Sequence, residues 1–168
     1  ATLVRPNVAV LQNIGKSHSQ GLEASVNWHV TDAWEVFGSV GVTEARVDEL
    51  DSPTAATRVG ARPAYVPAFT ATIGTGYKFD NGVYFRVENN HIGDYYLEFN
   101  NVLRQPSFNL VNAKIGYAYG NFDFSVFARN LLNKDYLVRA FGGTLPNQGF
   151  VGRQGEPFNV GIVMRAKF

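Results

Sequence analysis

Cysteine is absent from the 168 residues. That excludes a disulfide framework, a thiol nucleophile and a thiolate metal site. Methionine occurs once, against 17 glycines and 13 phenylalanines, a balance suited to many strands rather than a helical bundle. Charge of one sign is lacking too. Fifteen Lys and Arg against 14 Asp and Glu leave a net charge of +1, so no strong field points to nucleic acid or an acidic substrate. No run approaches the ~18 consecutive apolar residues of a membrane-spanning helix. This leaves membrane strands open, because alternation hides them from hydropathy averaging.

Chemical motifs are equally sparse. His18, His29 and His91 are scattered, without the convergent carboxylates that a metal site needs. No G-x-S-x-G context exists for a serine nucleophile. Gly74-Thr75-Gly76 has no helix after it, so it is no phosphate cradle. No metal, cofactor or enzymatic activity is expected. The opening ATLVRPNVAV lacks a basic region followed by an apolar run, so no signal peptide is read there.

What the sequence does contain is alternation. In Glu156–Phe168, Phe158, Val160, Ile162, Met164, Ala166 and Phe168 share one face, while Asn159, Gly161, Val163, Arg165 and Lys167 share the other. A strand of 11 to 13 residues is expected here, and ~9–11 tilted residues cross a bilayer as a barrel strand. The same pattern recurs from Gln20 to Val30, Trp34 to Thr43, Tyr65 to Phe79, Val83 to Asn90, Val111 to Tyr119 and Phe122 to Arg129. Residues before Gln12 read as loop entering a strand near Val8, since Pro6 suits no central strand. The expected fold is all-β: about seven long, antiparallel, meandering strands of a transmembrane β-barrel.

The connections alternate short and long. Thr31-Asp32, Asn81-Gly82 and Gly120-Asn121 are tight turns, and Asn-Gly suits a two-residue hairpin. Glu44–Ala64, His91–Gln105 and Asn133–Gly155 are long and expected to hold no strand. Outer-membrane barrels place short turns at the periplasmic rim and long loops outside the cell. Trp28, Trp34, Tyr77, Phe79, Tyr117, Tyr119, Phe122 and Phe168 gather at the short-turn end. Tyr65, Tyr95, Tyr96, Phe108, Tyr136 and Phe158 gather at the other, and two aromatic girdles are expected.

Three segments carry a family resemblance. Asn13-Ile14-Gly15-Lys16-Ser17 with Gln20-Gly21-Leu22-Glu23, then Arg129-Asn130-Leu131-Leu132-Asn133-Lys134-Asp135-Tyr136, then Gly155-Glu156-Pro157 leading to Phe168, together resemble the TonB-dependent outer-membrane receptors. Phe158 stands where that family usually has Arg, and Arg165-Ala166-Lys167-Phe168 replaces a more common Arg-Tyr-Arg-Phe. The resemblance implies a 22-stranded barrel with a plugged lumen, of which residues 1–168 would be the C-terminal portion, with the plug and other strands lying elsewhere. It implies a bacterial outer-membrane receptor taking up a scarce nutrient, with a ferric siderophore as the expected cargo. Iron would enter only within the transported chelate. Cobalamin, haem and glycans are alternative substrates, and a plug-less pore or self-assembling barrel fragment is the alternative role. The implied partners are the bilayer and lipopolysaccharide, the plug and remaining strands, the TonB energy-transducing complex and the barrel assembly machinery, with no nucleic acid.

Residue roles follow from the faces. Glu23, Glu35, Lys78, Arg86, Glu88, Lys114, Asp123, Arg129, Arg165 and Lys167 lie opposite the apolar stripe. Lipid exposure at the midplane would cost about 2–4 kcal/mol per Arg or Lys, so this face belongs to the lumen. Glu88, Lys114, Arg129 and Arg165 are the expected plug-facing residues. Arg58, Arg62, Tyr95, Tyr96, Arg104, Arg139 and Arg153 lie in or beside the long connections and are the substrate-contact candidates, since Arg and aromatics suit an anionic aromatic chelate. The resemblance makes the terminal Phe168 an assembly signal.

Overall fold

A computed structural model of the chain describes residues 15–51, 58–142 and 149–168. The expected strand near Val8, Asn13-Ile14, Pro53, Gly143 and Pro146 lie outside the described residues. Strands are numbered in chain order. β1 (Gly15–His29), β2 (Trp34–Leu50), β3 (Phe69–Lys78), β4 (Val83–Ile92), β7 (Phe108–Tyr119), β8 (Phe122–Arg129) and β11 (Asn159–Ala166) form one sheet in that spatial order. Each is antiparallel to the next. No helix occurs among the described residues. The seven-strand meander is therefore as the alternation predicts, with all three tight turns at one end.

Those turns form for local reasons. The Thr31 hydroxyl accepts from the amides of Ala33 and Trp34 at 3.2 and 3.0 Å. The β3–β4 turn differs from the expected two-residue form. The Gly82 amide donates to Phe79 O at 3.0 Å and Gly82 has φ +87°, so the extra residue is a left-handed glycine after the turn. Asn81 itself stays at negative φ, and its side chain accepts from the Val83 amide instead. Gly120, at φ +55°, supplies the first central position of the β7–β8 turn.

The long connections depart further from expectation. Residues 44–50, read as loop, continue β2, and β1 starts at Gly15 rather than Gln20. This ribbon runs beyond the β2–β3 pairing, which ends at Val42↔Phe69. Its alternation is polar because cross-strand charges replace lipid contacts: Lys16 pairs with Glu49 at 2.7 Å and His18 meets Asp48 at 2.6 Å. Ala45 and Val47 are buried on its other face, where segment 59–68 hydrogen-bonds back along β2. Two short ribbons also occupy segments expected to be strandless, β5 (Tyr95–Tyr96) with β6 (Arg104–Gln105), and β9 (Leu137–Gly142) with β10 (Phe150–Gln154). The last strand, β11, is shorter than expected. Asn133 Oδ1 takes the Phe158 amide at 2.9 Å, which ends the ladder before Asn159.

The sheet inverts the soluble rule. Its apolar side chains are exposed: Ile162 is 77 % accessible, Ile73 64 % and Val126 42 %. A contiguous exposed apolar face of this kind marks a membrane or partner contact. It ends in polar residues at the long-loop end, where Asn89 and His91 contact Asn109 Oδ1 at 3.3 and 3.1 Å. At the short-turn end Tyr77 packs edge-on to Phe79 at 4.7 Å, and Tyr117 stacks on Tyr119 at 6.2 Å. One polar group on the apolar face, Thr75, is fully used: its hydroxyl donates to Glu35 O at 2.9 Å and accepts from Trp34 Nε1 at 2.8 Å.

The expected outer girdle is corrected. Phe108 has the same strand parity as Lys114, so it faces the polar side. Tyr95 and Phe108 are buried there with Leu97 and Ala140, which are 1 % and 0 % exposed. Ile92, Leu103, Leu110, Tyr136 and Leu137 surround them. This small dry core lies under the long connections, over the polar face of the sheet.

The two faces make opposite predictions. Val126→Arg, flanked by Ile115 and Ile162, should lower stability in lipid vesicles by about 2–4 kcal/mol. Ser39→Arg on the polar face should change it by less than about 0.5 kcal/mol. Urea titration of the refolded full-length barrel measures both, and equal losses would overturn the face assignment.

Candidate functional site

The polar face is built on glycine platforms. Phe37 stands opposite Gly74, Tyr84 opposite Gly116 and Phe127 opposite Gly161. Each ring lies across its glycine so closely that a Cβ there would sit 2.1 to 2.5 Å from the ring. A ring covering a glycine restores the packing that a bare strand backbone lacks. Flattened in this way, the rings carry charges above them. The Arg86 guanidinium lies 3.7 Å over the Phe37 ring and bonds Glu35 at 2.5 Å. Lys114 lies 5.3 Å over Tyr84, whose hydroxyl donates to both oxygens of Asp123 at 3.0 and 3.1 Å. Glu88 accepts from Asn112 at 3.1 Å and Asn90 at 3.3 Å, and Asn90 in turn accepts from Thr72 at 2.9 Å.

A second assembly orders the long connections. Asp94 is gripped by Arg104 Nε at 2.8 Å and by Arg62 Nη1 at 3.2 Å. Arg62 also donates to Val66 O and Asp94 O, and lies 5.5 Å over the Tyr96 ring. The Arg62 amide donates to Asn101 Oδ1 at 2.8 Å, and Asn101 returns a bond to Arg62 O. The hydrogen bond from Arg104 is the main reason the Asp94 carboxyl is held below its ordinary pKa, with the charges of Arg104 and Arg62 adding to it against partial burial. Tyr95 is shifted the other way, upward, by burial, and its hydroxyl donates to Leu137 O at 2.8 Å.

A third assembly ties β8 to β11. Asn130 is 3 % exposed and has φ +46°, a conformation Asn tolerates. Its amide nitrogen donates to Lys134 O and Glu156 O, each at 2.9 Å, and its side-chain oxygen accepts from the Lys134 amide at 2.8 Å. Tyr136 stacks on Phe108 at 4.5 Å and lies across Gly155. The R-N-L-L-N-K-D-Y segment is thus a clamp whose Asn and Tyr side chains replace strand hydrogen bonds.

The substrate-contact candidates fall into three groups. Arg62, Tyr96 and Arg104 come together around Asp94 and hold loops. Tyr95 is buried in the dry core. Arg139 and Arg153 stand directly opposite each other on the β9–β10 ribbon, exposed, and Arg58 is exposed ahead of Arg62. The plug-facing candidates Glu88, Lys114 and Arg129 line one cleft of about 310 Å³ with Arg86, Asn112 and Phe127. Arg165 stands opposite Asp123 on the same face, and Phe168 is exposed beyond β11. At the outer end Tyr65, Pro67, Tyr95, Phe108, Leu110, Tyr136 and Val138 line an apolar cleft of about 360 Å³. Sequence reasoning missed Asp94, the bonding role of Asn130 within its motif, and the ring platforms. The platforms left a trace, since Gly74, Gly116 and Gly161 all share the polar-face parity. No grouping of three or more His, Asp or Glu suited to a metal occurs among the described residues.

Residues 2–131 match the family described as TonB dependent receptor-like, beta-barrel. The catecholate siderophore receptor Fiu of Escherichia coli K12 is 25% identical over 148 residues, covering 85% of this chain and 19% of Fiu. The chain thus spans about a fifth of the length of the curated relatives it matches. Among solved structures, the ferric yersiniabactin uptake receptor FyuA of Yersinia pestis superimposes with a TM-score of 0.78 at 22% identity, over 93% of this chain and 24% of FyuA. The siderophore receptor PiuA of Acinetobacter baumannii gives 0.73 at 19% identity, over 90% and 22%. These structures share the fold.

Two predictions follow from the clamp and the Asp94 latch. Asn130→Ala strands buried carbonyls and should cost about 2–4 kcal/mol, read by urea titration of the full-length barrel; a loss within experimental error would remove the clamp role. The Asp94 latch contributes fully above the ordinary Asp pKa of about 3.9 and is lost as pH falls through the depressed native value. Asp94→Asn should therefore speed amide exchange across residues 58–68 and 93–105 at neutral pH. Wild type and variant should converge in acid, and equal exchange at neutral pH would refute the latch.

Proposed function

The chain belongs to the TonB-dependent receptor β-barrel family, and from that premise we propose that it is the C-terminal wall of an outer-membrane uptake receptor for a ferric siderophore. Residues 1–168 would supply seven strands of a larger closed barrel, with a plug domain and the remaining strands lying elsewhere in the receptor. One observation carries the membrane reading: an exposed apolar face backs a polar face whose central acids are hydrogen-bonded or ion-paired. Such a sheet is stable only with lipid on one side and a wet or protein-filled lumen on the other. β1 and β11 are its edges, and the open N–H and C=O groups of those edges call for neighbouring strands.

The siderophore reading is supported by the relatives' named ligands and by the outer mouth. The aromatic cleft beneath the loops suits a planar ring. Arg139 and Arg153 stand opposite each other on the exposed β9–β10 ribbon, and with Arg58 they give this end a cationic character suited to an anionic chelate. Arg62, Tyr96 and Arg104 position this mouth through Asp94. Glu88, Lys114, Arg129 and Arg165 face the plug, TonB supplies the energy, and Phe168 serves assembly. Iron is cargo within the chelate.

Deleting the receptor gene under iron starvation should abolish growth on the matching ferric chelate, and uptake of the radiolabelled chelate should be lost with it. Unimpaired growth and uptake on a panel of catecholate, hydroxamate and carboxylate chelates would refute the substrate class. A purified receptor that conducts ions as an open channel would favour a plug-less pore instead.

A further inference from the structure

Among the described residues, no ion pair to an acid of the wall is formed by Lys114, a central cation of the β2–β8 polar face. Register places it directly opposite Arg86, and like charges so placed repel. The two side chains part company. Arg86 turns to Glu35 and Phe37. Lys114 has only the Tyr84 ring beneath it. The nearby acids are engaged: Glu35 by Arg86, Glu88 by Asn112 and Asn90, and Asp123 by the Tyr84 hydroxyl. Glu23 lies on β1, four strands away, which is about 19 Å at ordinary strand spacing.

The surroundings of Lys114 are shaped for contact. Two clefts share Arg86 and Lys114 as their common wall. One of about 320 Å³ runs toward His29, Lys78 and Tyr84. The other, of about 310 Å³, runs toward Phe127 and Arg129. A body seated here takes water away from the ammonium between them. An ammonium removed from water needs a compensating charge, and a ring face replaces only part of it. Arg129, in the second cleft, is within 4.0 Å of Glu156, so Lys114 is the cation there that an acidic surface would meet.

We infer that Lys114 receives an Asp or Glu carboxylate from the polypeptide body that fills the lumen, docked across the ridge between these two clefts. The inference rests on the plug reading above and adds the chemistry of the contact: the body's surface facing β4, β7 and β8 is acidic.

Zero-length carbodiimide coupling of the full-length receptor in intact outer membranes tests this, followed by peptide mass spectrometry. Lys114 should be joined by an amide bond to an Asp or Glu outside residues 1–168. Lys114→Arg should lose that cross-link while still excluding a large polar antibiotic, because the charge is kept. Lys114→Met should admit the antibiotic, with barrel insertion verified by heat-modifiable migration. Coupling only to Glu88 or Asp123, or none, in a receptor that excludes the antibiotic would overturn the contact and leave the plug reading standing. Coupling only to wall acids in a wild-type receptor that is already open would overturn both.

Discussion

Hydrocarbon offers no hydrogen bonds, so every backbone polar group placed in it must be satisfied by the protein itself. The main sheet obeys this constraint between its two edge strands, β1 and β11. Its strands pair in chain order, each antiparallel to the last, joined at one end by turns too short to carry unpaired backbone into lipid. The same constraint explains Thr75, a polar side chain on the apolar face that both donates and accepts. It also explains why strand-type pairing stops where it does. Above Val42 and Phe69 the β1–β2 ribbon trades apolar stripes for ion pairs, since there the alternative partner is water.

On the other face the problem is electrostatic. Charges such as Arg86 and Glu88 sit on a backbone that must also bend, and glycine eases the bend at the expense of packing. The rings of Phe37, Tyr84 and Phe127 repair that loss by lying across Gly74, Gly116 and Gly161. In lying flat they become surfaces for cations, so the device that fills the glycine gaps also places Arg86 and Lys114. Substituting one of these glycines would therefore disturb charge positions as well as packing.

Much of this was legible in the residues. Period-two alternation gave the seven main strands, their faces and the asymmetry of their connections, because lipid imposes a strict apolar stripe. Legibility fails where that stripe ends. Glu44–Leu50 pairs with Gly15–Gln20 largely through charged and polar side chains, so it reads as loop. The short ribbons at Tyr95–Gln105 and Leu137–Gln154 depend on contacts between segments far apart in sequence. Aromatics near the long-loop end read as a girdle, yet parity alone separates Phe158, which faces out, from Phe108, which faces in. At the site, composition picked out the loop arginines, but which of them are occupied depends on Asp94, whose neighbours in space come from two loops.

That occupancy matters for binding. Ordering long loops around a ligand is an entropic cost charged against affinity. Here the dry core of Tyr95, Leu97, Phe108 and Ala140, together with the Asp94 latch, orders the outer segments through contacts within the chain. A mouth organised in advance loses less on binding, but it uses up Arg62 and Arg104 to achieve this. Arg153 and Arg58, both exposed, take no part in that latch. In the proposed receptor, loop order and chelate recognition would then fall to different residues of the same surface, so that changes on the β9–β10 ribbon would leave the Asp94 latch intact.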